Sequence, residues 1–199
     1  MQTRIRIAAE SDAPQIAGIY RSIVTDTAIS FEEAPPSADE IARRIGSTLE
    51  SHPWLVCDRD GRIAGYAYAT VFRTRPAYQW SVEVSAYTDR EARRSGVARA
   101  LYTSLFAILG RQGFVSAYAG IALPNEGSVG LHEALGFEPL GVYCNVGFKL
   151  GRWHDVGWWQ LALCNPRDEP DPPLPFSSFC GEDACTEALA EGEALLRLD

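Results

Sequence analysis

The chain has 199 residues, 46% hydrophobic and 22% charged, so it can bury a core without disulfide or metal staples. Its formal net charge is -8 and it holds no block of Lys or Arg, which argues against a general nucleic-acid or membrane-surface binder. No stretch approaches the roughly 18 apolar residues of a membrane span, and the N-terminus, Met1 to Ala9, lacks the apolar centre of a signal peptide.

The elements follow from periodicity. Arg4 to Ala8 reads as a strand. Ile16, Ile19, Tyr20, Ile23 and Val24 mark the buried stripe of a helix. A loop with Ile29, Phe31 and Pro35-Pro36 comes next. Ser37-Ala38-Asp39-Glu40 is a capping-box pattern opening a second helix, with Ile41, Ile45 and Leu49 on its buried side. Trp54 to Cys57 and Ile63 to Phe72 are strands joined by Asp60-Gly61, a hairpin signal. Trp80 to Thr88 is a strand, Val97 to Leu109 a helix, Phe114 to Ile121 a strand, and Asn125 to Leu135 a helix stopped by Gly136. Leu140 to Leu150 and Val156 to Leu163 complete the set.

This order, β-α-α-β-β-β-α-β-α-β-β, predicts an α+β (mixed α/β) fold with a mostly antiparallel sheet, occupying residues 1–164. Residues 165–199 read as a Pro-rich, acidic extension. It opens as an irregular linker and ends in a short helix over Glu187 to Leu198, built on Leu189, Leu195, Leu196 and Leu198, and it is expected to be dispensable for chemistry. The five cysteines, Cys57, Cys144, Cys164, Cys180 and Cys185, are odd in number and irregularly spaced. With three scattered histidines, they argue against a zinc site, against a Cys180–Cys185 bridge, and for a reducing cytoplasm.

The sharpest motif is Arg93-Arg94-Ser95-Gly96-Val97-Ala98, between a strand and a helix. Glycine permits a tight turn and close approach of a ligand. The helix start offers unpaired N–H groups and a positive dipole end, and the arginines add charge, so the motif suits a diphosphate. The same six residues also fit a turn whose glycine only relieves strain.

Here the sequence resembles the GNAT acetyltransferase superfamily. Arg93-x-x-Gly96-x-Ala98 matches its Q/R-x-x-G-x-G/A signature, and His132-Glu133-Ala134-Leu135-Gly136-Phe137 its Y-x-x-x-G-F ending, with His for Tyr. Segments 51–56, 77–83, 131–136 and 151–157 are together similar to the phosphinothricin N-acetyltransferase subfamily. The resemblance covers about residues 4 to 163. It implies a twisted sheet flanked by helices, with acetyl-CoA as co-substrate held at a splayed strand pair, and no metal. It further implies transfer to the amino group of a small amino-acid-like acceptor such as phosphinothricin or methionine sulfoximine, in a homodimer.

The resemblance places the cofactor at Arg93, Arg94, Ser95, Gly96, Val97 and Ala98, with Asn125 and Ser128 beside the pantetheine arm. Amides near Ala86, Tyr87 and Thr88 would bind the thioester carbonyl and its oxyanion. Glu83 would be the base, since a partly buried carboxylate has a raised pKa. By alternation alone, Glu83 also fits a half-solvated strand face with Ser81, Ser85 and Tyr87. His132 would protonate the CoA thiolate as a cation, orient the substrate or act as the base. Arg75 and Tyr78 match the acceptor side, and Phe31 would wall it. Lys149 and His154 are further acceptor candidates, but Arg73, Lys149, Arg152 and His154 read more readily as solvated surface charges; the five tryptophans read as core or interface, with Trp153, Trp158 and Trp159 as candidates for a dimer surface. Two rival readings remain: a GNAT enzyme for a polyamine or protein N-terminus, and a non-catalytic acyl-CoA sensor. Intact Glu83 and His132 argue against the sensor.

Overall fold

The computed structural model describes residues 3–196. In chain order they form β1 (Thr3–Ile7), α1 (Ala13–Asp26), α2 (Ala38–Leu49), β2 (Trp54–Arg59), β3 (Arg62–Val71), β4 (Ser81–Thr88), α3 (Val97–Gln112), β5 (Ser116–Leu123), α4 (Glu126–Ala134), β6 (Glu138–Lys149) and β7 (Arg152–Ala162). Two further helices, α5 (Phe176–Phe179) and α6 (Asp183–Glu193), lie in the extension. Local chemistry explains several boundaries. The Ser37 hydroxyl caps α2 by accepting from the Glu40 N–H at 3.2 Å. Asp60 and Gly61 both take positive φ, 49° and 86°, which closes the two-residue turn between β2 and β3.

The sheet has seven strands in the order β1-β2-β3-β4-β5-β7-β6. Every neighbouring pair is antiparallel except β4 and β5. That parallel pair meets only at Ser81–Ser116, Val82–Ala117 and Glu83–Tyr118. Beyond it β4 stays paired to β3 as far as Thr88, and β5 stays paired to β7 as far as Leu123. The two strands therefore part just after Glu83 and leave a fork in the middle of the sheet.

Alternation sends Ala67, Ala69, Val82, Val84, Ala117 and Ala119 to one face, where Leu101, Leu105, Ile108 and Leu109 of α3 cover them. Trp54, Val56, Ile63 and Tyr66 turn to the other face, under Ile16 of α1 and Ile41 and Ile45 of α2. Small residues on the sheet let α3 lie close to it, next to the fork.

The extension packs into the same core as α3. Phe176, Phe179, Cys185 and Ala188 are buried there. The Ser104 hydroxyl donates to the Leu189 carbonyl at 2.9 Å, Gln112 to the Leu174 carbonyl at 2.7 Å, and the Trp80 indole to the Asp171 carbonyl at 2.9 Å. The helix sits earlier than its leucines suggest. Its buried side is Cys185, Ala188 and Gly192; of the leucines, Leu189 and Leu196 pack into the core, Leu195 is exposed and Leu198 lies outside the described residues. All five cysteines are free thiols. Among the described residues no helix is long and apolar enough to cross a membrane.

Candidate active site

A cleft of about 430 Å³ runs from the fork to the first turns of α3 and α4. Ala86, Tyr87 and Thr88 of β4 form one side of it, and Arg93, Arg94, Gly96, Val97 and Ala98 close one end. Gly96, the residue before α3, has φ 84°, a conformation that glycine adopts without steric cost. The N–H groups at the start of α3 have no partner within the helix, and the dipole adds positive potential there. Ser95 does not line the cleft: its hydroxyl donates to the Ala92 carbonyl at 2.7 Å and so fastens the loop. Asn125 lines the cleft and caps α4 by accepting from the Ser128 N–H at 3.2 Å.

His132 and Tyr102 meet in this cleft. His132 is buried, with 5% of its surface exposed. Its Nδ1 lies 2.7 Å from the Ser128 carbonyl, an acceptor with no hydrogen of its own, so Nδ1 carries the hydrogen. Nε2 lies 3.2 Å from the Tyr102 hydroxyl. Burial pushes the imidazole pKa down, and the Ser128 bond raises it only in part. The ring is therefore neutral, with its Nε2 lone pair turned to Tyr102. Burial thus works against the cationic form of His132. Tyr102 escaped the sequence reading because it sits in the buried stripe of α3 beside Leu101 and Leu105. The one available signal was a hydroxyl in that stripe, which needs a partner when buried.

Glu83 stands at the point of the fork, half-buried on the opposite face from α3. It lines a cavity of about 400 Å³ with Ile29, Phe31, Tyr143, Val146, Val156 and Trp158. That volume is in the range of small-molecule sites. Burial raises the Glu83 pKa, and the Arg73 charge opposes this in part. Ile29 lines both this cavity and the cleft at the start of α3, so the two spaces adjoin.

Phe31 walls the cavity as expected, whereas Arg75 and Tyr78 do not line it. Both are exposed, Arg75 just ahead of a short turn and Tyr78 edge-on against Phe72 at 6.1 Å. Lys149 and His154 are not solvated charges: they are 8% and 4% exposed. Each is held by main-chain carbonyls, which a count of charges along the sequence does not reveal. The three tryptophans also separate. Trp153 is exposed, Trp158 lines the cavity, and Trp159 is in the core with its indole N–H on Glu133 at 3.3 Å.

The sequence profile of the acetyltransferase (GNAT) domain matches residues 5–158. The chain is 37% identical to the phosphinothricin N-acetyltransferase of Streptomyces viridochromogenes, over 86% of this chain and 91% of that one. It is 34% identical to the L-methionine sulfoximine/L-methionine sulfone acetyltransferase of Pseudomonas aeruginosa, over 85% of this chain and all (100%) of the other. A solved GNAT superfamily phosphinothricin acetyltransferase from Sinorhizobium meliloti, in complex with AcCoA, superposes with a TM-score of 0.80 at 36% identity. That likeness covers 88% of this chain and 99% of the other. With a seven-stranded sheet that forks beside a glycine-opened helix, and a domain profile spanning most of its length, the chain belongs to the GNAT family of acetyltransferases.

Proposed function

We propose that the protein transfers the acetyl group of acetyl-CoA to the amino group of a small amino-acid-like acceptor of the phosphinothricin or methionine sulfoximine type, by direct attack. The observation that carries this reading is the place of Glu83. It stands where β4 and β5 part, with the loop-and-helix cleft on one side and the aromatic cavity on the other. The relatives' substrates support the acceptor class.

The cleft fits the cofactor. Amides at the start of α3, with Arg93 and Arg94, would hold the diphosphate. Asn125 and Ser128 would flank the pantetheine arm, and amides at Ala86 to Thr88 would donate to the thioester carbonyl as charge develops on its oxygen. Bound acetyl-CoA supplies the thioester that the amine attacks. Glu83 takes the proton that the amine must lose, directly or through water, and its raised pKa suits a base working near neutral pH. Tyr102 spends its one hydroxyl hydrogen on Nε2 of neutral His132 and so ties α3 to α4 beside the thioester, and CoA leaves as the thiolate.

The reading extends to a cytoplasmic homodimer. Edge strand β6 and the start of β7 expose Leu140, Val142, Phe148 and Trp153, an apolar face of the kind a second copy covers. Thiol release measured across an amine panel tests the function. Methionine sulfoximine and phosphinothricin should release CoA thiol faster than spermidine or a peptide. A clear win for spermidine would remove the acceptor class and leave the family. No release with any amine would favour a sensor.

A further inference from the structure

Lys149 ends β6, and its side chain turns inward instead of reaching for water. Its Nζ donates to the Val24 carbonyl at 2.7 Å and to the Ser30 carbonyl at 2.6 Å. Val24 is in the last turn of α1, where carbonyls lack helical partners and the dipole is negative. Ser30 belongs to the loop that carries Ile29 and Phe31. The ammonium thus ties the end of α1 to that loop and both to β6. The lysine's own carbonyl accepts from His154 Nε2 at 3.0 Å, which holds its backbone from behind.

A second feature of β6 serves the same loop. Gly147, two residues before Lys149 and so on the same face of the strand, lies against the Phe31 ring. A Cβ at 147 would collide with the edge of that ring. Strand β6 therefore makes room for Phe31 with one residue and fastens its loop with the next residue on that face. Burying an ammonium is costly, and an apolar side chain of the same length would fill the space for less. What the charge adds is a fixed attachment of the loop.

We propose that Lys149 is a positioning residue for acceptor recognition: by clamping Val24 and Ser30 it sets Ile29 and Phe31 over Glu83. This rests on reading the Glu83 cavity as the acceptor site. Lys149 touches neither that cavity nor the cofactor cleft, so it acts through the loop.

Steady-state kinetics of Lys149→Met test it, since Met keeps the stem and loses the donors. The acceptor KM should rise about tenfold, the scale of a misplaced binding wall, with kcat changed far less. Acetyl-CoA affinity by calorimetry should change far less than the acceptor KM, since of the two loop residues only Ile29 also lines that cleft. Phe31→Ala should raise the acceptor KM alike, and the double variant should be no worse than the worse single one. Lys149→Arg should recover part of the loss. If Lys149→Met does not fold, Lys149→Gln, which keeps one donor, replaces it with the same expected rise. A native acceptor KM in the lysine variant while Phe31→Ala raises it would overturn the clamp alone. Losses that multiply in the double variant would also overturn it. No effect of Phe31→Ala on acceptor KM would remove the cavity reading, and the clamp with it.

Discussion

The Tyr102 hydroxyl donates to Nε2 of His132 at 3.2 Å, while Nδ1 of the same ring donates to the Ser128 carbonyl at 2.7 Å. A helix α3 side chain and a helix α4 side chain are thereby joined across the cleft, and the imidazole is held as one neutral tautomer. Two residues acting as one unit should lose activity together. Tyr102→Phe and His132→Ala should each lower kcat by about ten- to a hundredfold, and the double variant should be little worse than either. Multiplicative losses would show independent roles. A cationic His132 would also make kcat fall as pH rises through the imidazole range. With the pKa pushed down by burial, any such fall should lie below the range of an ordinary histidine.

Glu83→Gln keeps size and polarity and cannot take a proton at neutral pH. Turnover should drop by about two to four orders of magnitude, the usual worth of a positioned base. The base works only when ionised, so wild-type kcat/KM should fall as pH drops through the raised Glu83 pKa. That acid limb should begin above the ordinary carboxylate range and vanish in the variant. Raising the pH should partly rescue the variant, because more of the acceptor amine is then already neutral. Near-native turnover of Glu83→Gln at neutral pH would end the base assignment.

The tight turn into α3 was legible because its requirement is local. A glycine between strand and helix reports both a positive φ and an open helix start, and Gly96 has both. Glu83 was legible as a type and a place, since its strand neighbours are apolar on alternate positions. Its exposure depended on how far β4 and β5 stay paired, a long-range fact. Lys149 and His154 were misread for the same reason: their partners are carbonyls far away in the chain. Tyr102 was hidden in a stripe that looks like core and is core, apart from one oxygen. The extension was legible in part: Leu189 and Leu196 do reach the core, but the small residues Cys185, Ala188 and Gly192 that seat α6 are passed over by a search for leucines.

Gly96→Asp separates the loop's backbone role from its electrostatic one. Nothing lies within 4 Å of a Cβ built at Gly96, so the position has room. The cost to the fold is the positive φ alone, about 1 kcal/mol, and Asp is among the residues that tolerate it. The added carboxylate would face the diphosphate at the positive end of α3. Acetyl-CoA binding by calorimetry should weaken by about ten- to a hundredfold, and by less as salt screens the charge. Gly96→Ala carries the strain without the charge and should weaken binding far less. Unchanged affinity in the Asp variant would take this loop out of the cofactor site.

The last prediction concerns how α6 meets α3. At Gly192 the helix lies so close that a Cβ would run into the Ala100 carbonyl and the Ser104 hydroxyl. Ala100 is in the first turns of α3, just after the cofactor loop, and Ser104 already donates to Leu189 of α6. Elsewhere in a helix, replacing Gly by Ala stabilises by up to about 1 kcal/mol, because Ala loses less backbone entropy. Gly18 in α1 is such a place, exposed and with nothing within 4 Å of a built Cβ. Gly18→Ala should therefore raise the melting temperature by a few degrees. Gly192→Ala should do the reverse: the carbonyl in its way is main chain and cannot swing aside, so α6 must move off α3. Overpacking of this kind costs about 1 to 3 kcal/mol, which for a domain of this size lowers the melting temperature by roughly 2 to 10 °C. Thermal unfolding of the two variants side by side checks the sign. Stabilisation at both positions would mean that α6 does not hold its close seat on α3 in solution.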